Sequence, residues 1–99
     1  MQPDTPVEEL KNIGPKSAAW LREVGVQTRA DLERIGPVFA YLLVRHRFPS
    51  AGINLLMAYA LHGALTDEAY FALSPETRAA LRVEVETAAL EIAYAPPNG

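Results

Sequence analysis

The residues with the most evident chemistry lie near the start of the chain, where Gly14 and Pro15 precede Lys16 and Ser17. Glycine followed by proline is typical of a turn that leads into a helix, because proline fits the first helical turn. The first backbone N–H groups of a helix have no partner within it, and the positive end of the helix dipole lies beside them. The free amides of Gly14, Lys16 and Ser17, with the Lys16 charge, therefore predict a phosphate-binding site.

The nine residues from Leu10 to Ala18 resemble the helix-hairpin-helix motif of many DNA-binding proteins. That motif usually has glycine where Asn12 stands, and asparagine is the next-best residue for a left-handed turn. The resemblance implies contacts with the DNA backbone rather than with bases, so binding would be weak and independent of base sequence. Three further basic residues are candidates for the same contact: Lys11, Arg22 and Arg29. The alternative interpretation is a folding device without a ligand.

A repeat of eleven residues organises the first third of the chain. A leucine, a branched residue three positions later and a following glycine recur as Leu10-Lys-Asn-Ile-Gly, Leu21-Arg-Glu-Val-Gly and Leu32-Glu-Arg-Ile-Gly. Leucine and a residue three positions away share one helix face, and glycine supplies the left-handed residue that closes a helix. The repeat predicts three short successive helices that end at Gly14, Gly25 and Gly36.

The third copy of the repeat continues like the first, which predicts a second hairpin. Gly36-Pro37 repeats the earlier glycine-proline pair, and an alanine follows each proline by three residues, which allows close approach of two helices. Where the first hairpin has lysine and serine, the second has Val38 and Phe39. We expect these two side chains to pack against the protein rather than meet a phosphate.

Helix-start signals divide the middle of the chain into further elements. Thr28, with an aspartate three residues later, is a variant of the capping box. The apolar segments that follow predict helices over residues 37–46 and 53–65, separated by a proline- and glycine-containing break. Thr66 is then expected to cap a short helix that runs through Phe71.

Ser74 and Pro75 mark the start of the last helix, because a serine cap followed by proline is a typical helix beginning. One face of this helix is expected to lie in the core, with Leu81, Val85, Ala88 and Ile92. The helix should end at or before Ala95, since two prolines follow.

Composition restricts the classes of function. The chain has 99 residues, of which 49% are hydrophobic and 21% charged, as in one small globular domain. It has no cysteine and two histidines sixteen residues apart, so we expect no disulfide, metal site, cofactor or catalytic residue. No apolar run approaches the roughly 20 residues of a membrane span, and the polar, acidic start is unlike a signal peptide, so we expect a cytoplasmic protein.

These elements predict an all-α fold, a compact bundle of five to seven short helices with a tandem helix-hairpin-helix-like front half. We expect residues 1–6 to form a tail, residues 7–95 a single helical domain and residues 96–99 a second tail.

A longer resemblance covers roughly residues 7–83. The segment from Leu10 to Val26, the segment from Asn54 to Ala64 and the closing Leu73-Ser74-Pro75-Glu76 resemble the C-terminal domain of the TfoX (Sxy) family. The resemblance implies an all-α, non-catalytic bacterial regulatory domain. The founding role of the family is activation of competence genes for DNA uptake, together with the cyclic-AMP receptor protein.

Two kinds of partner follow from these observations. The resemblance implies a protein partner in transcription or competence regulation, for which Trp20 is the candidate anchor, unless it only covers the edge of the core. The alternative is a stand-alone hairpin protein that contacts DNA through the hairpin residues. Residues 11–47 carry seven basic and three acidic side chains, but the whole chain has a net charge of −3. Because that balance disfavours DNA, we favour the protein partner, with the chain as a monomer or a homodimer.

Overall fold

The computed structural model describes residues 2–93, which form five α-helices and two single turns of 3₁₀ helix. The α-helices are α1 (Pro15–Glu23), α2 (Arg29–Ile35), α3 (Pro37–Arg47), α4 (Leu55–Thr66) and α5 (Pro75–Ala93), and the 3₁₀ turns are Val7–Glu9 and Tyr70–Ala72. Apart from one isolated bridge between Pro6 and Thr28, residues 2–93 contain no β-structure, so the predicted all-α fold is confirmed. None of these helices is both long and apolar enough to cross a lipid bilayer.

Helix α3 lies at the centre of the bundle and contacts α1, α2, α4 and α5. The largest fully buried side chains come from along most of the chain: Val7, Leu21, Val26, Leu32, Val44 and Leu61. Ala18 of α1 and Ala40 of α3 are also fully buried. These alanines occupy equivalent positions in the two halves of the repeat, where a larger side chain would keep neighbouring helices apart.

Glycine ends α1 and α2, as the repeat predicts. Gly25 and Gly36 have φ of 88° and 89°, in the region that other residues adopt only with strain. The same prediction for Gly14 is wrong, because Gly14 has φ of −94° and is the extended residue that precedes α1. The left-handed residue is Asn12, with φ of 73°, and the residues before it form a 3₁₀ turn instead of an α-helix. The tandem helix-hairpin-helix front half is therefore not confirmed.

Side-chain caps determine where three of the helices begin. Thr28 and Asp31 form a capping box at α2, in which each side chain accepts the backbone N–H of the other, at 3.3 and 3.2 Å. Asn54 caps α4 and Ser74 caps α5 by accepting an N–H of the first turn at 3.0 and 3.1 Å. Helices α1 and α3, which begin with glycine and proline, have no side-chain cap.

The connection after α4 differs from the prediction. Thr66 does not cap a new helix but is the last residue of α4, and its Oγ1 donates a hydrogen bond to the carbonyl of His62 at 3.3 Å. Asp67 follows in the left-handed conformation, with φ of 60°, which ends the helix. The segment through Phe71 therefore contains only part of a 3₁₀ turn.

The predicted core face of α5 is only partly buried. Leu81, Val85 and Ala88 lie in the core as predicted, but Ile92 is 54% exposed because no other element of residues 2–93 covers it. Phe39, which the second hairpin predicts to pack, is 46% exposed for the same reason. The predicted end of the helix at or before Ala95 lies outside the described residues.

The segment before the first 3₁₀ turn is hydrogen-bonded to the start of α2. The N–H groups of Arg29 and Ala30 donate to the carbonyls of Thr5 and Pro3 at 2.9 and 2.8 Å. The N–H of Val7 donates to the carbonyl of Gln27 at 3.0 Å. These bonds attach the beginning of the chain to the bundle and use N–H groups at the start of α2.

The capping box predicts that stability depends on pH. Hydrogen bonds from the N–H groups of Gln27 and Thr28, with the nearby Arg34 guanidinium, hold the pKa of the Asp31 carboxyl below its ordinary value. Because the pKa is lower in the folded protein, ionised Asp31 stabilises the fold above about pH 3.9, and this contribution is lost as the pH falls through the folded-state pKa. The difference in Tm between the unmodified protein and Asp31→Asn should therefore shrink between neutral pH and about pH 3. Thermal unfolding followed by circular dichroism measures it, and a pH-independent difference would contradict the prediction.

Candidate interaction site at the hairpin

The hairpin, residues 10–14, connects the first 3₁₀ turn to α1. Leu10 and Ile13 lie in the core, with 3% and 6% of their surfaces exposed. Asn12, between them, takes the left-handed conformation in the position where the motif usually has glycine. The interpretation that asparagine would preserve this turn is therefore confirmed.

The side chain of Asn12 joins the hairpin to the end of α4 and to the connection that follows it. Its Nδ2 donates hydrogen bonds to the carbonyls of Ala60, at 3.2 Å, and Glu68, at 2.8 Å. Its Oδ1 accepts the N–H of Tyr70 at 3.1 Å. One amide group thus makes three bonds to backbone atoms that lie 48 to 58 residues away in the sequence.

Gly63 makes room for this contact. A Cβ atom at position 63 would lie 2.3 Å from the carbonyl oxygen of Glu68 and 2.6 Å from Nδ2 of Asn12. Both distances are far shorter than a van der Waals contact, and the Glu68 oxygen is backbone that cannot rotate away. A glycine inside a helix costs about 1 kcal/mol relative to alanine, and here it permits the close approach of hairpin, helix and connection.

A groove of about 280 Å³ lies between the first turns of α1, the start of α4 and Tyr70, and we call it the hairpin groove. Its lining consists of Asn12, Ser17, Trp20, Gly52, Ile53, Asn54, Leu56, Met57, Ala60 and Tyr70. Most of the surface is apolar, with hydroxyl and amide groups from Ser17, Asn12 and Asn54. No carboxylate, lysine, arginine or histidine belongs to the lining, and residues 2–93 hold no cluster of metal-binding side chains.

Lys16 lies next to Trp20, which lines this groove. Trp20 is half-buried, and its ring centroid lies 6.3 Å from that of Phe48 at an angle of 37°. Nζ of Lys16 lies 5.3 Å from the centroid of the Trp20 ring, within the range of a cation–π contact. Both residues come from α1, one turn apart, so the helix places a cation over an aromatic surface.

The hairpin also brings together the three residues of the predicted phosphate site. Gly14 precedes α1, and Lys16 and Ser17 lie in its first turn, where no side chain caps the amides. Within residues 2–93, Lys16 forms no ion pair with a carboxylate. The assignment of these residues to nucleic acid stays a prediction.

Two other predicted basic residues are engaged with acidic side chains. Nζ of Lys11 lies 4.0 Å from Oδ1 of Asp67, and both side chains are well exposed. Arg22 forms an ion pair with Glu8, which precedes the hairpin. Each pair reduces the positive charge that either cation presents to an external anion.

Arg29 makes both an ion pair and a hydrogen bond within the fold. Its Nε lies 2.7 Å from Oε1 of Glu33, and its Nη2 donates a hydrogen bond to the carbonyl of Leu65 at 3.0 Å. Only 19% of the side chain is exposed. Arg29 therefore connects the start of α2 with the end of α4, and its carbonyl bond satisfies one of the acceptors that a helix end leaves free.

Sequence reasoning missed the residues that complete the groove. The sequence pattern gives Ile53, Leu56 and Met57 no feature that separates them from the rest of an apolar helix. It assigns Tyr70 to a short helix that does not form. Gly63 gave a usable signal, because a glycine within a strongly apolar helix often marks a close approach of another segment.

Substitutions at Asn12 and Gly63 test whether this junction stabilises the fold. Asn12→Ala removes three hydrogen bonds and strains the left-handed turn, so it should lower the free energy of unfolding by at least about 2 kcal/mol. Asn12→Gly keeps the turn and loses only the bonds, so its cost should be smaller. Gly63→Ala should cost about 1–3 kcal/mol through the steric clash.

Gly14→Ala is the matched control, because Gly14 has an ordinary φ and a Cβ atom at this position would meet no atom within 4 Å beyond its chain neighbours. It should cost less than about 1 kcal/mol. Urea unfolding measures all four variants. Equal stability of Asn12→Ala and Gly14→Ala would show that the Asn12 junction contributes nothing.

Comparisons with known proteins agree with this fold. The model of the TfoX C-terminal domain family matches residues 4–85. The crystal structure of an uncharacterized protein from Listeria monocytogenes superimposes with a TM-score of 0.71 at 24% sequence identity, over 79% of this chain and 86% of that chain. No curated protein matches the chain. The Listeria structure supports the fold alone, whereas the family match spans most of the sequence and includes the hairpin, α4 and the start of α5: the chain belongs to the TfoX C-terminal domain family.

Proposed function

We propose that this domain is a non-catalytic regulatory module of the bacterial cytoplasm that binds a short segment of a partner protein in the hairpin groove. The proposal rests on the position of Trp20, whose half-buried aromatic side chain lines an apolar groove of about 280 Å³. Tryptophans in such positions are frequent anchors of protein interfaces. Membership of a non-catalytic family of regulators supports a role in transcription or competence regulation.

The lining of the groove defines the chemistry of the segment that fits it. Ile53, Leu56 and Met57 form an apolar surface between Trp20 and Tyr70. An enclosed cavity of about 150 Å³ is enough for benzene, so the hairpin groove has room for one large apolar side chain. Leu56 is 53% exposed and would be covered by such a side chain.

Lys16 adds a preference for negative charge beside the apolar side chain. Its ammonium group lies 5.3 Å from the centroid of the Trp20 ring, which lines the groove, and has no carboxylate partner within residues 2–93. The amides of the first turn of α1 contribute partial positive charge in the same place. The preferred occupant is therefore a segment with a large apolar residue next to an aspartate or glutamate.

Contact with the DNA backbone is the second candidate function, and the Lys16 ammonium at the start of α1 is the observation that favours it. Arg22 and Arg29 are held in ion pairs, and Lys11 is paired only at 4.0 Å with the exposed Asp67, so Lys16 and Lys11 would supply most of the attraction. With about two phosphates neutralised, the slope of log binding constant against log salt would be near −2. Affinity would then be weak and equal for unrelated duplexes.

A displayed library of random peptides tests the proposed function. Selected peptides should share a large apolar residue adjacent to Asp or Glu, and their binding should change the fluorescence of Trp20, the single tryptophan of the chain. Leu56→Glu should weaken binding at least about tenfold, because it places a charge in the apolar lining. Lys16→Glu should weaken binding of the acidic peptides by repulsion.

Leu90→Glu is the matched control, since Leu90 is 58% exposed on α5 and does not line the hairpin groove. It should bind the selected peptides as the unmodified protein does. If Leu56→Glu also binds them normally, the groove is not the docking site. The DNA function would be established instead if no peptide is selected, the unmodified protein binds a DNA duplex at low salt, and Lys16→Glu does not bind it.

A further inference from the structure

A second apolar surface is formed by α3 and α5, and none of its residues lines the hairpin groove. Four large apolar side chains are exposed on it: Phe39 (46%), Leu43 (40%), Val83 (61%) and Ile92 (54%). We call this surface the α3–α5 face. Apolar side chains that are clustered, rather than scattered singly, mark interaction surfaces in soluble proteins.

Two grooves cross the α3–α5 face and meet at the Phe39 side chain. The larger, about 450 Å³, also contains Leu42, Leu43, Ala89 and Ile92, and its charged or titratable residues are Arg45 and His46. The smaller, about 290 Å³, also contains Val38, Val83, Thr87 and Ala88, and its charged residues are Glu84 and Glu91. Phe39 lines both grooves and thus separates a basic side of the face from an acidic side.

The charges at the two sides have no ionic partner within residues 2–93. Arg45 donates a long hydrogen bond of 3.4 Å to the hydroxyl of Tyr41, and no carboxylate lies within 4.0 Å of it. Glu84 and Glu91 likewise form no ion pair in this part of the chain. A second copy of this face, rotated by 180°, would set its acidic side against the basic side of the first copy. The face is therefore complementary in charge to a second copy of itself.

We propose that the α3–α5 face binds a second copy of this chain in a two-fold symmetric dimer. In a two-fold interface, residue i of one copy meets residue j of the other, and j meets i. An axis beside Phe39 sets the basic groove of each copy against the acidic groove of its partner. Arg45 of each copy then faces Glu84 and Glu91 of the other copy. The interface also covers the exposed apolar side chains of both copies, which are Phe39, Leu43, Val83 and Ile92.

The size of the face agrees with a reversible dimer. At 1.5 Å per residue, the 11 residues of α3 and the 19 residues of α5 are about 16 and 28 Å long. Two helix surfaces of this length, each about 10 Å wide, present on the order of 500 Å². A standard interface buries about 800 Å² per partner, so this face is smaller than that of a permanent complex and of a size typical of reversible association.

Sedimentation equilibrium of the purified full chain tests the dimer. The average mass should rise from 10.8 kDa towards twice that value between about 10 μM and 1 mM. Phe39→Glu and Leu43→Glu should keep the chain monomeric at all these concentrations. Leu56→Glu, in the hairpin groove, should dimerise normally, which separates this surface from the proposed partner site.

Charge reversal gives a test that depends on the two-fold arrangement. Arg45→Glu should weaken the dimer at least about fivefold, and so should the double variant Glu84→Arg, Glu91→Arg, because like charges then face each other. Mixing these two chains pairs opposite charges at both contacts and should restore the dimer mass. If the mixture of the two variants stays monomeric, the proposed two-fold geometry is wrong.

A constant mass of 10.8 kDa for the unmodified chain would overturn the dimer itself. The α3–α5 face would then be a binding surface for a different protein.

Discussion

The amide side chain of Asn12 is the contact on which the arrangement of the other elements depends. It bonds to the backbone at Ala60, Glu68 and Tyr70 and so joins the start of the chain to the end of α4 and the segment behind it. This requires a left-handed residue at position 12 and a missing side chain at position 63, and the sequence supplies asparagine and glycine there. Because Tyr70 and α1 are positioned by this junction, the hairpin groove is a consequence of it.

Folding pairs many of the basic side chains with carboxylates, so the surface is less basic than the sequence of residues 11–47 indicates. Residues 11–47 read as a basic segment in the sequence, yet the folded chain pairs most of these cations with carboxylates. The five ion pairs of residues 2–93 are Lys11–Asp67, Arg22–Glu8, Arg29–Glu33, Arg34–Asp31 and Arg47–Glu23. Exposed pairs such as Lys11–Asp67 and Arg47–Glu23 stabilise a protein by only about 0–1 kcal/mol each, so their main effect is on the surface potential. The two candidate recognition surfaces are apolar, and the cations beside them, Lys16 and Arg45, belong to none of these five pairs.

Local signals in the sequence predicted most of the helix ends, and long-range contacts account for the error at Gly14. Gly25, Gly36, Thr28 and Ser74 were assigned correctly because helix ends follow from turn conformation and capping within a few residues. Gly14 was assigned wrongly because Asn12, two residues earlier, is the left-handed residue, held by hydrogen bonds to residues 48 or more positions away. The groove residues of α4 carry no local mark, since a helix that is apolar on all sides does not reveal which side remains uncovered.

Amide hydrogen exchange at Tyr70 tests the role of Asn12 most directly. The N–H of Tyr70 lies in an exposed connection and donates to the Asn12 side chain, so its protection reports on that bond and on the closed junction. The structure predicts that this amide exchanges at least about tenfold more slowly than in an unfolded chain, and that Asn12→Gly removes the protection while the core amides of α3 keep theirs. Exchange of Tyr70 at the unprotected rate in the native protein would contradict the account, because the hairpin would then not be held to α4 by Asn12.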